Sequence, residues 1–183
     1  MRPDLQTSLT RSHIEPSKLS TFQRILLTTD GTLTEILEAY LFEQIKIVKL
    51  SEKLISIEQP IPHLELPSGS EVIERKILLQ GKISRKNFIY AESILVPERL
   101  ENNFKNELFK SQTPLGRLWL EHKMETFKEI IDSIEEAADE LGFYFKIEKE
   151  ERMLSRTYRV FSHRKPIMMI TEKFPESYFR KDF

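Results

Sequence analysis

Two β-rich runs, Glu71 to Leu79 and Phe88 to Val96, flank a polar connector and constrain this chain more than any other feature. Branched and aromatic residues dominate both runs, so each reads as a strand. The connector, Gln80 to Asn87, is longer than a tight turn but still joins them as antiparallel neighbours. Pro97 ends the second run. Further strand signals lie at Ile45 with Ile47, Lys53 to Ile57, Phe143 to Ile147, Thr157 to Phe161, and Ile167 to Ile170 behind Pro166. The Pro-rich stretch Gln59 to His63 cannot supply a full ladder.

Helical spacing appears in four places. Phe22, Ile25 and Leu26 follow the N-cap candidate Ser20, and Leu33, Ile36, Leu37, Tyr40 and Leu41 follow the Asp30-Gly31 break. Leu100, Phe104 and Leu108 recur at every fourth residue after Pro97. The clearest case is Met124 to Leu141, where Met124, Phe127, Ile130, Ile131, Ile134, Ala137, Ala138 and Leu141 share one face. Gly142 there stands where a left-handed C-terminal residue is wanted, so the spacing predicts a core helix. Hairpin-like pairs with interspersed helices, and no alternation of strand and helix, give an α+β fold built on a mainly antiparallel sheet with flanking helices. Residues 1–19 are polar and without period, so they read as an N-terminal arm ahead of a single domain over 20–183.

Composition narrows the function. With 28 Lys and Arg against 29 Asp and Glu, the formal charge is −1 and supplies no field for nucleic acid or an anionic membrane. Absence of cysteine removes disulfides, thiol catalysis and thiolate metal sites, and agrees with a reducing compartment. No apolar run reaches the length of a membrane span, and the first residues lack the apolar centre of a signal peptide. A soluble cytoplasmic protein is expected. His13, His63, His122 and His163 lack the spacing of a metal site, so no metal is expected. Ser84-Arg85-Lys86 is a basic tip without interleaved aromatics and reads as a solvated loop.

Strand parity singles out two charges. Successive side chains alternate, so Ile73, Arg75, Ile77 and Leu79 share a face, as do Met168, Ile170, Glu172 and Phe174. Arg75 and Glu172 therefore point into apolar surroundings, where an ionised group costs several kcal/mol unless paired and hydrogen-bonded. Either Arg75 closes a buried ion pair with Glu172 or with Glu92, or a gap between them admits an anionic ligand. In the second case Arg75 would take a carboxylate while Glu172 faces a hydroxyl or an abstractable proton.

Five segments together resemble the chorismate pyruvate-lyase family, in its archaeal and mycobacterial branch. They are Asp30-Gly31-Thr32-Leu33-Thr34, Arg75-Lys76-Ile77-Leu78-Leu79, Ala91-Glu92-Ser93-Ile94-Leu95-Val96-Pro97, Thr113-Pro114-Leu115-Gly116-Arg117, and Lys165-Pro166 leading to Thr171-Glu172-Lys173-Phe174-Pro175. The resemblance implies conversion of chorismate, a small-molecule substrate, into 4-hydroxybenzoate and pyruvate with no metal or organic cofactor. It implies that Arg75 grips the ring carboxylate and that the backbone N–H of Leu115, beside Gly116, is the second donor to that group. Glu172 would face the ring hydroxyl. Leu33 would reach the same hydroxyl through its backbone N–H, from a flap that continues into Thr34.

Two departures from the better-known bacterial enzymes follow. Ser93 stands where they carry an arginine, which leaves the substrate's second carboxylate open to Lys76, Arg117, Arg156 or Arg159, and residues 124–157 are longer. The competing reading from another class is a non-catalytic small-molecule sensor, since effector domains of GntR-type regulators share the fold. About 20 polar residues before the fold are too few for the winged-helix domain such regulators carry, which favours the enzyme. A third reading is an inactive chorismate binder.

Overall fold

The computed structural model describes residues 14–110, 118 and 121–180. Its centre is one six-stranded antiparallel sheet: β1 (Ile45–Ser56), β2 (Glu71–Gly81), β3 (Asn87–Leu95), β4 (Phe127–Ala137), β5 (Arg152–Ser162) and β6 (Lys165–Pro175). The order across the sheet is β1-β2-β3-β6-β5-β4. Two three-stranded meanders are thus joined back to back, with β3 and β6 zipped along Tyr90–Leu95 against Met168–Lys173. The α+β class read from the sequence holds. The hairpin of β2 and β3 forms at the expected place, with Arg75 opposite Ser93.

Four helices with both ends among the described residues accompany the sheet: α1 (Thr21–Thr28), α2 (Leu33–Leu41), α3 (Asn102–Lys110) and the single turn α4 (Gly142–Phe145). Ser20 and Gln23 form a capping box at the start of α1: the Gln23 N–H donates to Ser20 Oγ, and the Ser20 N–H to Gln23 Oε1. Two orphan donors of the first turn are satisfied in this way. Thr32 at the start of α2 makes no such side-chain cap. The free N–H groups of its first turn therefore remain available to something else.

One face of the sheet carries two apolar clusters. Leu26, Leu27, Leu33 and Leu37 of α1 and α2 pack on Ile45, Ile47, Ile77, Leu79, Ile89, Leu154 and Phe174. Leu100, Phe104, Leu108 and Leu118 pack on Ile73, Leu95, Met168, Val160 and Ile170. Full burial of each such side chain contributes about 1.5–3 kcal/mol. The other face is closed at one end by the 57–66 excursion over Val72 and Val96, and at the other by Ala138 and Phe145 over Leu78, Tyr90 and Met153. Ile14 and Leu19 of the arm are buried against the α1/α2 cluster.

Three expectations are corrected. Residues 127–137 form the edge strand β4, not a core helix. A bulge between Ile130 and Asp132 shifts its alternation by one, so Phe127, Ile130, Ile131 and Ile134 fall at spacings that imitate a helix. Phe127, ahead of the bulge, lies on the opposite face from Lys128 and Ile130 and is exposed. Gly142 opens α4 in a right-handed conformation. It must be glycine because a Cβ would stand 2.7 Å from the Ile147 carbonyl oxygen. Phe143 to Ile147 is not a strand: α4 occupies its first half, and Lys146 ends the turn at φ 57°. Elsewhere the expected segments are extended. Ile45, Ile47 and the run from Lys53 merge into the single long β1, which is bulged between Lys49 and Ser51 and ends at Ser56, one residue short of the expected Ile57.

Candidate active site

Between the two apolar clusters a polar seam crosses the sheet. One row runs through Glu52, Arg75, Ser93, Ile170 and Tyr158, and the next through Ile77, Ala91, Glu172, Arg156 and Ser133. Directly paired residues point to the same side, so both rows face α1, α2 and α3. Arg75, Arg156 and Ser133 are each no more than 1% exposed, and Ser93 and Glu172 are buried with them.

Arg75 and Glu172 both lie inward, as parity requires, and they are not bonded to each other. Two strand spacings of about 4.8 Å and two residues of about 3.4 Å separate their positions on the sheet. Glu92 is no partner of Arg75 either: it pairs with Lys76 across the hairpin and so faces the opposite side, where it accepts from Tyr90 Oη. The ion partner of Arg75 is Glu52 on β1, with Nε 3.3 Å from Oε2. Lys49 holds the other oxygen of Glu52 at 2.8 Å. None of the three Arg75 nitrogens has a hydrogen-bond partner among the described residues. Burial pushes its pKa down, and the Glu52 charge pulls it partly back.

Glu172 is engaged on both oxygens. Arg156 Nε donates to Oε2 at 2.8 Å and Tyr158 Oη to Oε1 at 3.1 Å. Burial, with the Glu172 charge second, holds the Tyr158 phenol well above the usual tyrosine range. Arg156 also reaches the loop between α1 and α2, where Nη1 donates to the Thr29 carbonyl at 2.8 Å. Lys128 on β4 donates to the Gly31 carbonyl at 3.0 Å. Burial is the main cause lowering its pKa, opposed by the Glu172 charge. These two cations pin residues 29–31, and with them the uncapped start of α2, over the Glu172 end of the seam. Leu33 and Thr34 are buried in that first turn.

Sequence-derived candidates sort accordingly. Arg75, Glu172, Leu33 and Thr34 gather around the seam, whereas Leu115, Gly116 and Arg117 lie outside the described residues. Of the cations considered for a second carboxylate, Arg156 faces inward. Lys76 and Arg159 face the other side, near Glu74 and Glu129 respectively. Glu52, Tyr158, Lys128 and Ser133 were missed. Extending the strand signal at Thr157 back to Leu154 would have put Arg156 and Tyr158 on one face with Leu154 and Val160. Among the described residues no group of three or more His, Asp or Glu is placed to hold a metal, and no helix is long and apolar enough to cross a membrane. An open hollow of about 660 Å³ between the start of β4 and the β5–β6 turn, lined by Phe127, Phe161, His163 and Arg164, is separate from these charges.

Chemically, the seam offers at one end a buried guanidinium that is ion-paired with Glu52 but makes no hydrogen bond among the described residues. At the other end stand a carboxylate held by a cation and a phenol, and the positive end of a helix. That polarity suits a ring bearing a carboxylate on one side and a hydroxyl on the opposite side.

Comparison with known proteins bears on this arrangement. Residues 27–181 match the family model described as "Chorismate pyruvate-lyase Rv2949c-like". A Mycobacterium leprae protein named chorismate pyruvate-lyase is 31% identical over 175 residues, covering 95% of this chain and 83% of that protein. A Mycobacterium tuberculosis protein of the same name is 33% identical over 174 residues, covering 91% and 85%. Among solved structures, the effector domain of PhnF from Mycobacterium smegmatis aligns with a TM-score of 0.62 at 11% identity, covering 79% of this chain and 88% of that one. A GntR-family transcriptional regulator from Bacillus cereus aligns at 0.60 and 6% identity, covering 76% and 96%. These two likenesses concern the fold alone.

Proposed function

Because this chain belongs to the chorismate pyruvate-lyase family and is a carbon–oxygen lyase that eliminates pyruvate from chorismate to give 4-hydroxybenzoate, we propose that the reaction takes place along the polar seam. The carrying observation is Arg75, a buried guanidinium whose nitrogens lack hydrogen-bond partners among the described residues. It stands on the same sheet face as Glu172, two strands away.

Chorismate is a dianion with a ring carboxylate at C1, an enolpyruvyl ether at C3 and a hydroxyl at C4. Loss of the C4 proton and rupture of the C3–O bond form the C3=C4 double bond and complete an aromatic ring. The bonding pair leaves on the enolpyruvyl oxygen, and a proton on its methylene carbon yields pyruvate. The substrate thus supplies much of the driving force, and the protein's share is orientation and exclusion of water.

In this reading Arg75 forks the C1 carboxylate, with Leu115 N–H beside Gly116 as second donor. Glu172 anchors the para hydroxyl, together with the Leu33 N–H from the first turn of α2, and Thr34 continues that cover. The anchoring role is favoured over that of base by the two bonds already made to Glu172. The seam draws on residues from Thr29 to Glu172, which supports a single working domain over 20–183. A cysteine-free chain of formal charge −1 supports a cytoplasmic setting and a small-molecule partner, with neither nucleic acid nor membrane.

Incubating the purified protein with chorismate and following 4-hydroxybenzoate absorbance tests the reading. Product formation at a catalytic rate is expected. Binding without turnover would leave only a small-molecule binder of this fold.

A further inference from the structure

Arg156 makes two hydrogen bonds and has a third nitrogen to spare. Nε is taken by Glu172 and Nη1 by the Thr29 carbonyl, while Nη2 has no partner among the described residues although Arg156 is 1% exposed. Directly across from it on β4 stands Ser133, 0% exposed, whose Oγ likewise has no partner among the described residues. Two neighbouring dry donors on one face of a sheet are costly to leave empty, and groups of this kind call for a ligand or an ordered water.

We propose that Arg156 and Ser133 together receive the second carboxylate of the substrate, the one on the three-carbon enol ether arm. The inference rests on the lyase reading and deepens it. C1 and C4 are para, so a ring with its carboxylate at Arg75 turns its hydroxyl towards Glu172. The arm at C3, next to C4, then falls beside a neighbour of Glu172 in the same row; of the two, Ala91 and Arg156, only Arg156 carries a charge. Ser93, on β3, carries no charge for this task. Lys76 and Arg159 point to the far side of the sheet. A guanidinium nitrogen and a hydroxyl carried on directly paired residues can each donate to one oxygen of a carboxylate. Arg156 thereby ties three things to one side chain: the anchor Glu172, the loop before α2 and the leaving group.

The test compares two ligands that differ in the arm. Chorismate carries it, and 4-hydroxybenzoate does not. Ser133→Ala removes one donor with little change in volume, so it should raise the KM for chorismate about tenfold. The inhibition constant of 4-hydroxybenzoate should stay within about twofold, because that molecule never meets Ser133. Arg156→Lys keeps a cation for Glu172 but loses the planar fork, and should lower kcat/KM for chorismate further than the serine change does. An unchanged chorismate KM in Ser133→Ala, or equal weakening of both ligands, would overturn the assignment. Failure of the lyase reading would look different: the parent protein itself would release no 4-hydroxybenzoate.

Discussion

Arg156 on β5 and Glu172 on β6 lie directly opposite each other, and the guanidinium Nε donates to the carboxylate at 2.8 Å. The pair is buried, and Tyr158 closes its other side. Removing either charge strands the other in a dry site, which costs about 3–5 kcal/mol for buried pairs in general. The proposed chemistry and stability therefore meet at this point, and informative substitutions must keep shape and change one property at a time.

Glu172→Gln meets that condition. The amide retains an acceptor for one of its two donors and forfeits the charge. Turnover should fall about 100-fold or more, while the far-ultraviolet circular dichroism stays that of the parent. Near-parental 4-hydroxybenzoate production would remove Glu172 from the mechanism.

Arg75→Lys keeps a cation beside Glu52 but loses the two-pronged geometry. Saturating 4-hydroxybenzoate at about 100 times its Kd should stabilise the parent by about 2.7 kcal/mol, or about 5–10 °C in Tm for a domain of this size. In the variant more than half of that shift should vanish. An equal shift in both proteins would place the ring carboxylate elsewhere.

Tyr158 sets an alkaline limit on stability. Its folded pKa is raised above the ordinary value of 10.0, so its contribution is fully present below pH 10. Above that pH the unfolded chain releases the phenol proton while the fold retains it, and stability is lost as pH climbs towards the folded value. Tyr158→Phe should abolish this portion of the decline in urea unfolding between about pH 10 and 11. A decline as steep in the variant would assign it to other groups.

Lys128 acts with the opposite sign. Its pKa is lowered from 10.5 by burial, so the charged form disfavours the fold, and that penalty fades as pH rises from the folded value to 10.5. Lys128→Met should flatten this rise. It should also speed hydrogen exchange at Thr32 and Leu33, since the bond that holds the Gly31 carbonyl would be gone. Unaltered exchange there would show that Arg156 alone holds the loop.

Local pattern was enough for α1, α2 and the β2–β3 hairpin, because each follows its own period between clear breaks. It was also enough to turn Arg75 and Glu172 inward, since parity needs only a strand and its neighbours. Their partners were another matter. Glu52 faces Arg75 only after the bulge at Lys49/Ser51 reverses the parity of β1. The pairing of Arg156 with Glu172 requires knowing that β5 lies next to β6 along its full length. Ser133 and Lys128 were hidden because a bulge in β4 gave an edge strand the spacing of a helix. Irregularities of one residue thus concealed what regular periods could not encode.

The join between β3 and β6 brings together positions as remote as Glu92 and Thr171. Each meander can assemble from nearby stretches, but the seam exists only when both have met, with Arg75 contributed by the first and Glu172 by the second. During synthesis, then, the seam cannot form until β6 has emerged. Closing this long loop is an entropic toll that places the fold among slower-folding topologies.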